Sequence, residues 1–178
     1  MPIPTISAVA SIALGGGFEL ALATHFRVMA TTAVVGLPET RLAIIPGAGG
    51  THRLPPLVGP ARARDLILTG RRVHGPEAFF LGLADRLVEL GPVRDDKDLE
   101  EEGRGLVEAR ERTLSEAVAL AHDICKGGLL AVRAALRAVA RPSPDNEARQ
   151  YQSVVATRDR DEALEAFAER RPPKFQGV

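Results

Sequence analysis

The sequence predicts an α/β region followed by an all-helical region, and two observations support this division. The first is a set of three apolar, β-branched runs at residues 4–14, 26–30 and 33–37. The longest of them lacks strict alternation, which is typical of a strand buried on both faces of a parallel sheet. The second observation is the charge distribution, since only five of the 23 basic and 23 acidic residues occur before Pro60: Glu19, Arg27, Glu39, Arg41 and Arg53.

Glycine and proline residues mark the turns and helix ends around these strands. Gly15–Gly17 end the first run, and residues 17–24 follow as a predicted short helix that is apolar on both faces. Residues 43–54, AIIPGAGGTHRL, are predicted to form a loop because glycine and proline interrupt them. Helices are then predicted up to a stop at Gly70 and again from Pro76, with a short strand after the second helix.

The C-terminal half is predicted to consist of helical stretches that follow a charged segment. Residues 91–105, GPVRDDKDLEEEGRG, are flanked by glycine and highly charged, which indicates a solvated linker or insertion. Apolar residues from Leu129 to Val139 then recur at spacings of three and four, which predicts a helix with one apolar stripe. Pro142 ends that pattern, and two further helical stretches follow it.

The composition argues against several classes of function. The formal net charge is zero and lysine is scarce, so the sequence gives no electrostatic reason to expect a nucleic-acid or membrane surface as a partner. A single cysteine, Cys125, rules out an internal disulfide framework and suits a reducing compartment. No apolar run reaches the roughly 18 residues that span a bilayer. The four histidines lack metal-ligand spacing, so no metal site is expected.

The glycine cluster Gly15–Gly17 stands between a predicted strand and a predicted helix. Such a cluster lets the backbone approach a ligand closely and leaves N–H groups free, which can hold a phosphate or an oxyanion that develops during a reaction. The alternative is a tightly packed turn without a ligand. The dinucleotide-binding fingerprint fits poorly, because Leu20 stands at its third glycine position.

Glu19 and Glu39 are the only acidic residues of the apolar first third, and each lies beside a glycine-rich turn. A carboxylate in apolar surroundings is costly unless it is paired, hydrogen-bonded or neutral. One interpretation is an acid–base pair that faces the glycine-lined anion site. The other interpretation is two structural ion pairs with Arg41 and Arg53.

Several stretches together resemble the crotonase superfamily, in particular enoyl-CoA hydratases of the methylglutaconyl-CoA hydratase branch. They are PTISAVASIALGGGFELALAT, GLPETRLAIIPGAGGTHRL, LILTGRRV and the tail AFAERRPPKF. The resemblance implies that residues 1–90 form part of a crotonase-like spiral of ββα units, which is incomplete here. It also implies that residues 91–178 form a helical oligomerisation region, with a charged insertion at residues 91–112.

The resemblance implies a catalytic role for three residues. The backbone N–H of Gly16 would be one of two donors that stabilise the enolate-like transition state of a thioester. Glu19 would position and deprotonate a water molecule, and Glu39 would exchange the proton at Cα. The presence of both glutamates favours a hydratase over the alternative, which is an isomerase of the same superfamily.

Four further residues are implied to bind substrate: Gly15, Gly47, Phe167 and Arg170. Phe167 and Arg170 match positions that reach the adenine and phosphates of a neighbouring subunit's coenzyme A. The substrate would thus be an acyl-CoA thioester, with coenzyme A as part of the substrate and no separate cofactor. The expected partners are further copies of the chain in a trimer or hexamer, and neither nucleic acid nor a membrane is expected to bind.

The implied reaction is the syn addition of water to a 2-enoyl-CoA, in fatty acid or leucine breakdown, and the implied compartment is the mitochondrion. Family members carry further residues before the equivalent of PTISAV, which supply the first strands and an A-G-x-D-type loop with the other oxyanion N–H. Since loss of one such donor costs about 10²–10³ in rate, this chain alone is expected to be inactive or nearly so. A non-catalytic fragment that forms oligomers is the remaining alternative.

Overall fold

Six strands, eight helices and one 3₁₀ helix occur in residues 3–90 and 99–178, which this computed structural model describes. The strands are β1 (Ile6–Val9), β2 (Ile12–Leu14), β3 (Phe26–Ala30), β4 (Val34–Gly36), β5 (Val73–His74) and β6 (Arg86–Val88). The helices are α1 (Gly16–Leu22), the 3₁₀ helix (Glu39–Leu42), α2 (Gly50–Val58), α3 (Pro60–Thr69), α4 (Gly75–Phe80), α5 (Leu99–Cys125), α6 (Leu129–Ala140), α7 (Pro144–Val155) and α8 (Arg158–Glu169). The chain divides into two compact units, residues 5–119 and residues 120–178 together with the N-terminal residues up to 4, and the division lies within α5.

Two three-stranded sheets form the first unit. One has the order β1-β3-β6 and is parallel throughout, whereas the other has the order β2-β4-β5, with β2 parallel and β5 antiparallel to β4. Successive strands from β1 to β4 therefore belong to alternate sheets. The apolar run at residues 4–14, predicted as one strand, is divided between the two sheets because it breaks after Val9.

Burial differs between the central and the edge strands of these sheets. The prediction that residues 4–14 are buried on both faces is wrong for the described structure, because Ile12 is 66% exposed and Ala8 is exposed as well. Each lies on a strand at the edge of its sheet, which has a neighbour on one side. The central strand β3 fits the pattern better, since its last four residues are buried.

The core of the first unit lies between the strands and helices α1 to α4. Its largest fully buried side chains include Phe18 on α1, Met29 on β3, Leu54 on α2 and Leu83 before β6. Helix α3 ends where the sequence predicts, at Gly70, which has a φ of 56° that glycine adopts without strain. The predicted helix at Pro76 and the strand after it are also confirmed, as α4 and β6.

Two predicted irregular segments are partly helical. The loop prediction for residues 43–54 is wrong from Gly50 onward, because α2 begins there and continues through Pro55 and Pro56. Glycine and proline are weak helix formers, so the sequence pattern conceals this helix. The linker prediction is likewise wrong from Leu99, where α5 begins, while residues 91–98 lie outside the described residues.

An ion pair between a buried arginine and a partly exposed aspartate fastens strand β3 to the turn before β6. Arg27 is buried, and its Nη2 atom lies 2.8 Å from Oδ2 of Asp85. Its Nε donates to the Leu83 carbonyl at 2.8 Å, and its Nη1 donates to the Thr24 carbonyl at 3.1 Å. The backbone N–H of Arg27 also donates to Asp85 Oδ2, at 2.7 Å. The buried guanidinium is thus neutralised and hydrogen-bonded, as a charge in a protein interior must be.

The second unit contains α6, α7, α8 and a C-terminal tail that is bonded back onto α8. The buried carboxylate of Asp159 accepts the N–H groups of Gln176 and Gly177 at 2.6 and 2.9 Å. Glu162 accepts the Lys174 N–H at 2.7 Å and two bonds from the Arg171 guanidinium. These bonds fix an otherwise irregular segment along the first half of α8.

Replacing Asp85 tests the ion pair between Arg27 and Asp85. Asp85→Asn leaves the Arg27 guanidinium without its counter-charge and is expected to lower the free energy of unfolding by about 2 kcal/mol, which is less than a fully buried pair would lose because Asp85 is 34% exposed. Asp65→Asn is the matched control, since Asp65 pairs with Arg71 at the surface and is expected to cost under about 1 kcal/mol. Urea unfolding measures both, and equal losses would contradict the role assigned to the pair of Arg27 and Asp85.

The attachment of the tail is expected to depend on pH through Glu162. Hydrogen bonds from Arg171 and from the Lys174 N–H lower the pKa of Glu162 from 4.5 to about 2. Because the depressed pKa belongs to the folded state, this stabilisation is present above the ordinary value and is lost as the pH falls towards 2. The chemical shift of the Lys174 amide proton should therefore titrate with a midpoint near 2.

Two variants serve as controls for this titration. Glu162→Gln should abolish it, and Glu165→Gln, which changes an exposed glutamate on the same helix, should leave it unchanged. A midpoint at the ordinary value of a glutamate would show that these bonds do not hold the carboxylate.

Candidate active site

Glu19 lies in the first turns of α1, which begins directly after the unusual backbone of Gly15. The φ of Gly15 is 54°, and its N–H donates to the carbonyl of Gly36 at the end of β4, at 2.9 Å. Its own carbonyl accepts the N–H of Glu19, also at 2.9 Å. Glu19 is 3% exposed and lies beside the buried side chain of Phe18. The glycine turn thus directs a carboxylate into the apolar core.

The Glu19 carboxylate is held by main-chain groups of the segment before α2. Its Oε1 atom accepts the N–H of Ala48 and the N–H of Gly50, both at 2.8 Å. A Cβ on Gly50 would lie 2.9 Å from atoms of Leu37 and Pro46 and 3.1 Å from that Oε1. Glycine is therefore required for the chain to approach the carboxylate this closely.

Glu39 begins the 3₁₀ helix and is also buried, with 8% of its surface exposed. Its Oε1 lies 3.2 Å from the position that a Cβ of Gly15 would occupy, so the carboxylate packs against the residue that opens α1. Its Oε2 is buried and has no hydrogen-bond partner among the described residues. Such an unpartnered buried atom is rare in folded proteins.

The two carboxylates do not form the ion pairs that the structural interpretation required. Arg41 donates through Nε and Nη2 to the carbonyl of Thr69, at 3.1 and 3.0 Å. Arg53 donates through Nη1 to the carbonyl of Ala48, at 2.7 Å. Both guanidinium groups thus bind main-chain oxygens, and within the described ranges neither glutamate has a cation at salt-bridge distance.

The glycines predicted to bind substrate or an oxyanion lie around these two acids. Gly16 and Gly17 are exposed in the first turn of α1, where N–H groups have no acceptor within the helix. Gly47 is exposed and directly precedes Ala48, whose N–H holds Glu19. The amides of Ala48 and Gly50 were not predicted, although the PGAGG stretch indicates a close backbone approach.

Phe167 and Arg170, which were also predicted to bind substrate, belong to the other compact unit. Phe167 is 86% exposed on α8. Arg170 follows α8 in the left-handed conformation, with a φ of 57°. Their binding roles stay predictions.

The described ranges 3–90 and 99–178 contain neither a metal-binding cluster nor a membrane-spanning helix. No group of three or more His, Cys, Asp or Glu side chains there is arranged to hold a metal ion. No helix in those ranges is both long enough and apolar enough to cross a membrane.

This arrangement resembles an acid–base site, because two buried carboxylates with unlike surroundings lie at one glycine turn. Comparison with known proteins assigns the fold around it. The family model described as enoyl-CoA hydratase/isomerase matches residues 1–178. The chain belongs to this family. The family resemblance drawn from the motifs is thereby confirmed.

The chain is similar to "Methylglutaconyl-CoA hydratase 1, mitochondrial" of Pyricularia oryzae, with 59% identity over 99% of the chain and 52% of that protein. It is 39% identical to "Methylglutaconyl-CoA hydratase, mitochondrial" of Rattus norvegicus, over 99% of the chain and 53% of the relative. The chain therefore spans about half the length of these relatives.

Among solved structures, an enoyl-CoA hydratase from Bacillus anthracis matches 99% of the chain with a TM-score of 0.85 and 40% identity. The match covers 64% of that structure. The predicted fold class, a crotonase-like α/β region followed by helices, is confirmed for this member of the hydratase/isomerase family.

Replacing Gly15 tests the turn on which both acids depend. Gly15→Ala is expected to lower the free energy of unfolding by about 1–3 kcal/mol, since its positive φ disfavours a side chain and the new Cβ would meet Glu39. Gly17→Ala is the control, because a Cβ there has no atom within 4 Å and the φ is not positive. Urea unfolding compares the two variants, and equal stabilities would contradict the constraint assigned to Gly15.

Proposed function

We propose that the chain carries the acid–base residues of an acyl-CoA hydratase that adds water to a 2-enoyl-CoA thioester. The observation that supports this most is the contrast between the two buried glutamates. Glu19 has one oxygen fixed by two backbone N–H groups, whereas Glu39 has one buried oxygen without a partner. Membership of the hydratase/isomerase family supports the same reaction.

In the proposed mechanism, the Gly16 N–H donates to the thioester oxygen, on which negative charge develops. Glu19 is oriented by the hydrogen bonds that it accepts from two backbone N–H groups, and it positions a water molecule. It takes a proton from this water while the resulting hydroxyl adds to Cβ. Glu39 supplies the proton to Cα from its unpartnered oxygen. Glu19 takes up one proton and Glu39 gives up one, so the number of protons on the pair is unchanged over the reaction. Coenzyme A enters as part of the substrate, and the proposal includes no separate cofactor.

An isomerase is the alternative within the same family, whose name includes both activities. An isomerase moves a double bond without net addition of water, so it needs one acid that removes and returns a proton. The presence of a second glutamate, Glu19, whose carboxylate accepts two backbone N–H groups, favours hydration. Product analysis with a 3-enoyl-CoA and a 2-enoyl-CoA distinguishes the two reactions.

We further propose the setting in which the chain acts. The names of the two methylglutaconyl-CoA hydratases include the word mitochondrial and support the mitochondrion as the compartment. Leucine breakdown and fatty acid breakdown are the two settings that the motif resemblance implies. The 86% exposure of Phe167 supports assembly of further copies around α8, as a trimer or hexamer in which Phe167 and Arg170 contact a neighbour's coenzyme A. A non-catalytic role in such an assembly is the remaining alternative.

Replacing the glutamates tests the proposed chemistry. Since the chain covers 64% of the Bacillus anthracis hydratase, the assay uses the chain alone and a chimera in which it replaces the matching part of that enzyme. Glu19→Gln and Glu39→Gln should each reduce hydration of a short 2-enoyl-CoA in the chimera by about 10²–10⁴-fold. The loss of ultraviolet absorbance of the conjugated thioester measures the rate.

Glu89→Gln is the matched control, because Glu89 is an exposed glutamate of the same unit, and its rate should equal that of the unsubstituted chimera. Hydration that survives both active-site substitutions would exclude these acids as the catalytic pair and would refute the proposal.

A further inference from the structure

Arg53 binds the same short segment that holds Glu19. Its Nη1 donates to the Ala48 carbonyl at 2.7 Å, while the Ala48 N–H donates to Glu19 Oε1 at 2.8 Å. One residue of main chain therefore joins the arginine to the carboxylate. A guanidinium bond to a carbonyl is charge-assisted and is stronger than a bond between neutral groups, so it can fix the orientation of that residue.

The backbone of Gly49 is shaped to admit the guanidinium. Its φ is 112°, and a Cβ on it would lie 1.9 Å from Arg53 Nη1 and 2.7 Å from Arg53 Cζ. The arginine thus occupies the space that any other residue at position 49 would fill with its side chain. The Gly49 carbonyl accepts the Arg53 N–H at 2.9 Å, which is the first main-chain bond of helix α2.

The guanidinium of Arg53 has no acidic partner in the described ranges; the residue is partly buried, and its bond to the Ala48 carbonyl lies at the exposed surface. An ordinary surface arginine would pair with a carboxylate or extend into water. Here the described hydrogen bond of the side chain goes to the Ala48 carbonyl, which is one of the two carbonyls between the N–H donors of Glu19. The arrangement is therefore directed at the main chain of residues 48–50.

We propose that Arg53 is a positioning residue that sets the Ala48 and Gly50 amides, and through them the direction of the Glu19 carboxylate. This inference rests on the proposed function, because it assigns Arg53 a part in hydration only if Glu19 is catalytic. Among the described hydrogen bonds and ion pairs, none joins Arg53 to Glu19. The effect of Arg53 passes through the two hydrogen bonds that the Ala48 and Gly50 N–H groups donate to Glu19 Oε1.

Amide hydrogen exchange tests the structural part of the proposal and requires no measurement of enzymatic activity. In the 178-residue chain, Arg53→Met should raise the exchange rates of the Ala48 and Gly50 amides about tenfold or more, since local opening of this segment becomes easier. Arg53→Lys should restore part of the protection because it keeps a charged donor. Arg62→Met, which replaces an exposed arginine on α3, is the control and should leave both rates unchanged.

The amide of Leu66 in α3 reports whether a variant loosens the whole unit. Faster exchange at Ala48 and Gly50 with an unchanged rate at Leu66 supports the proposal. Unchanged protection at Ala48 and Gly50 in Arg53→Met overturns it, and so does an equal rise at Leu66, because Arg53 would then stabilise the unit in general.

Hydration kinetics test the catalytic part, in the chimera described above. Arg53→Met should lower kcat about ten- to a hundredfold with little change in KM, because a misdirected acid–base group slows the chemical step more than it weakens binding. Arg53→Lys should recover part of kcat. In a Glu19→Gln background Arg53→Met should cause no further loss of kcat, since Arg53 acts only through the Glu19 carboxylate.

Failure of the proposed function and failure of the positioning role of Arg53 give different results in these assays. If Glu19→Gln leaves the rate unchanged, the proposed function fails, whatever Arg53 does. If Glu19→Gln lowers the rate but Arg53→Met does not, or if their effects multiply, the proposed function stands and the positioning role of Arg53 is overturned.

Discussion

The convergence of two backbone N–H groups on one Glu19 oxygen is the contact on which the rest of the site depends. It joins α1, which carries the acid, to the segment that leads into α2. Burying a carboxylate costs several kcal/mol unless donors replace the lost water, and these two amides replace it on one oxygen. The tight packing of Gly50 against Leu37 and Pro46 follows from this contact, because the chain must come within bonding distance of a buried side chain.

Glu39, whose carboxylate packs against the glycine turn at Gly15, shows the opposite arrangement. One of its oxygens packs against Gly15, and the other is buried without a partner among the described residues. An unsatisfied buried polar atom costs about 1–3 kcal/mol, so it is not explained by stability. The neighbouring Arg41 could have neutralised it, but that guanidinium binds the Thr69 carbonyl instead. The fold thus fixes one oxygen of Glu19 with two donors and leaves one buried oxygen of Glu39 without a described donor.

Local signals predicted the elements whose ends they mark. Strands β3 and β4 follow from short apolar runs, and the end of α3 follows from Gly70, because each signal lies within the element itself. The division of residues 4–14 into two strands could not be predicted, since it depends on pairing with β3 and β4, twenty or more residues away. The start of α2 was missed for a related reason, because tertiary contacts stabilise a helix that contains Pro55 and Pro56 against their local preference.

The same difference explains how far the site could be predicted. Scarcity of charge singled out Glu19 and Glu39, since a side chain that is costly to bury is conspicuous in an apolar sequence. The donors that hold Glu19 are backbone amides, and every residue except proline has one, so no residue type reveals them. The sequence identifies Arg53 only as a candidate counter-ion. Its charge follows from the residue type, whereas its hydrogen bond to the Ala48 carbonyl depends on the fold. Main-chain groups therefore have to be located in three dimensions, even where the candidate catalytic side chains can be named from the sequence.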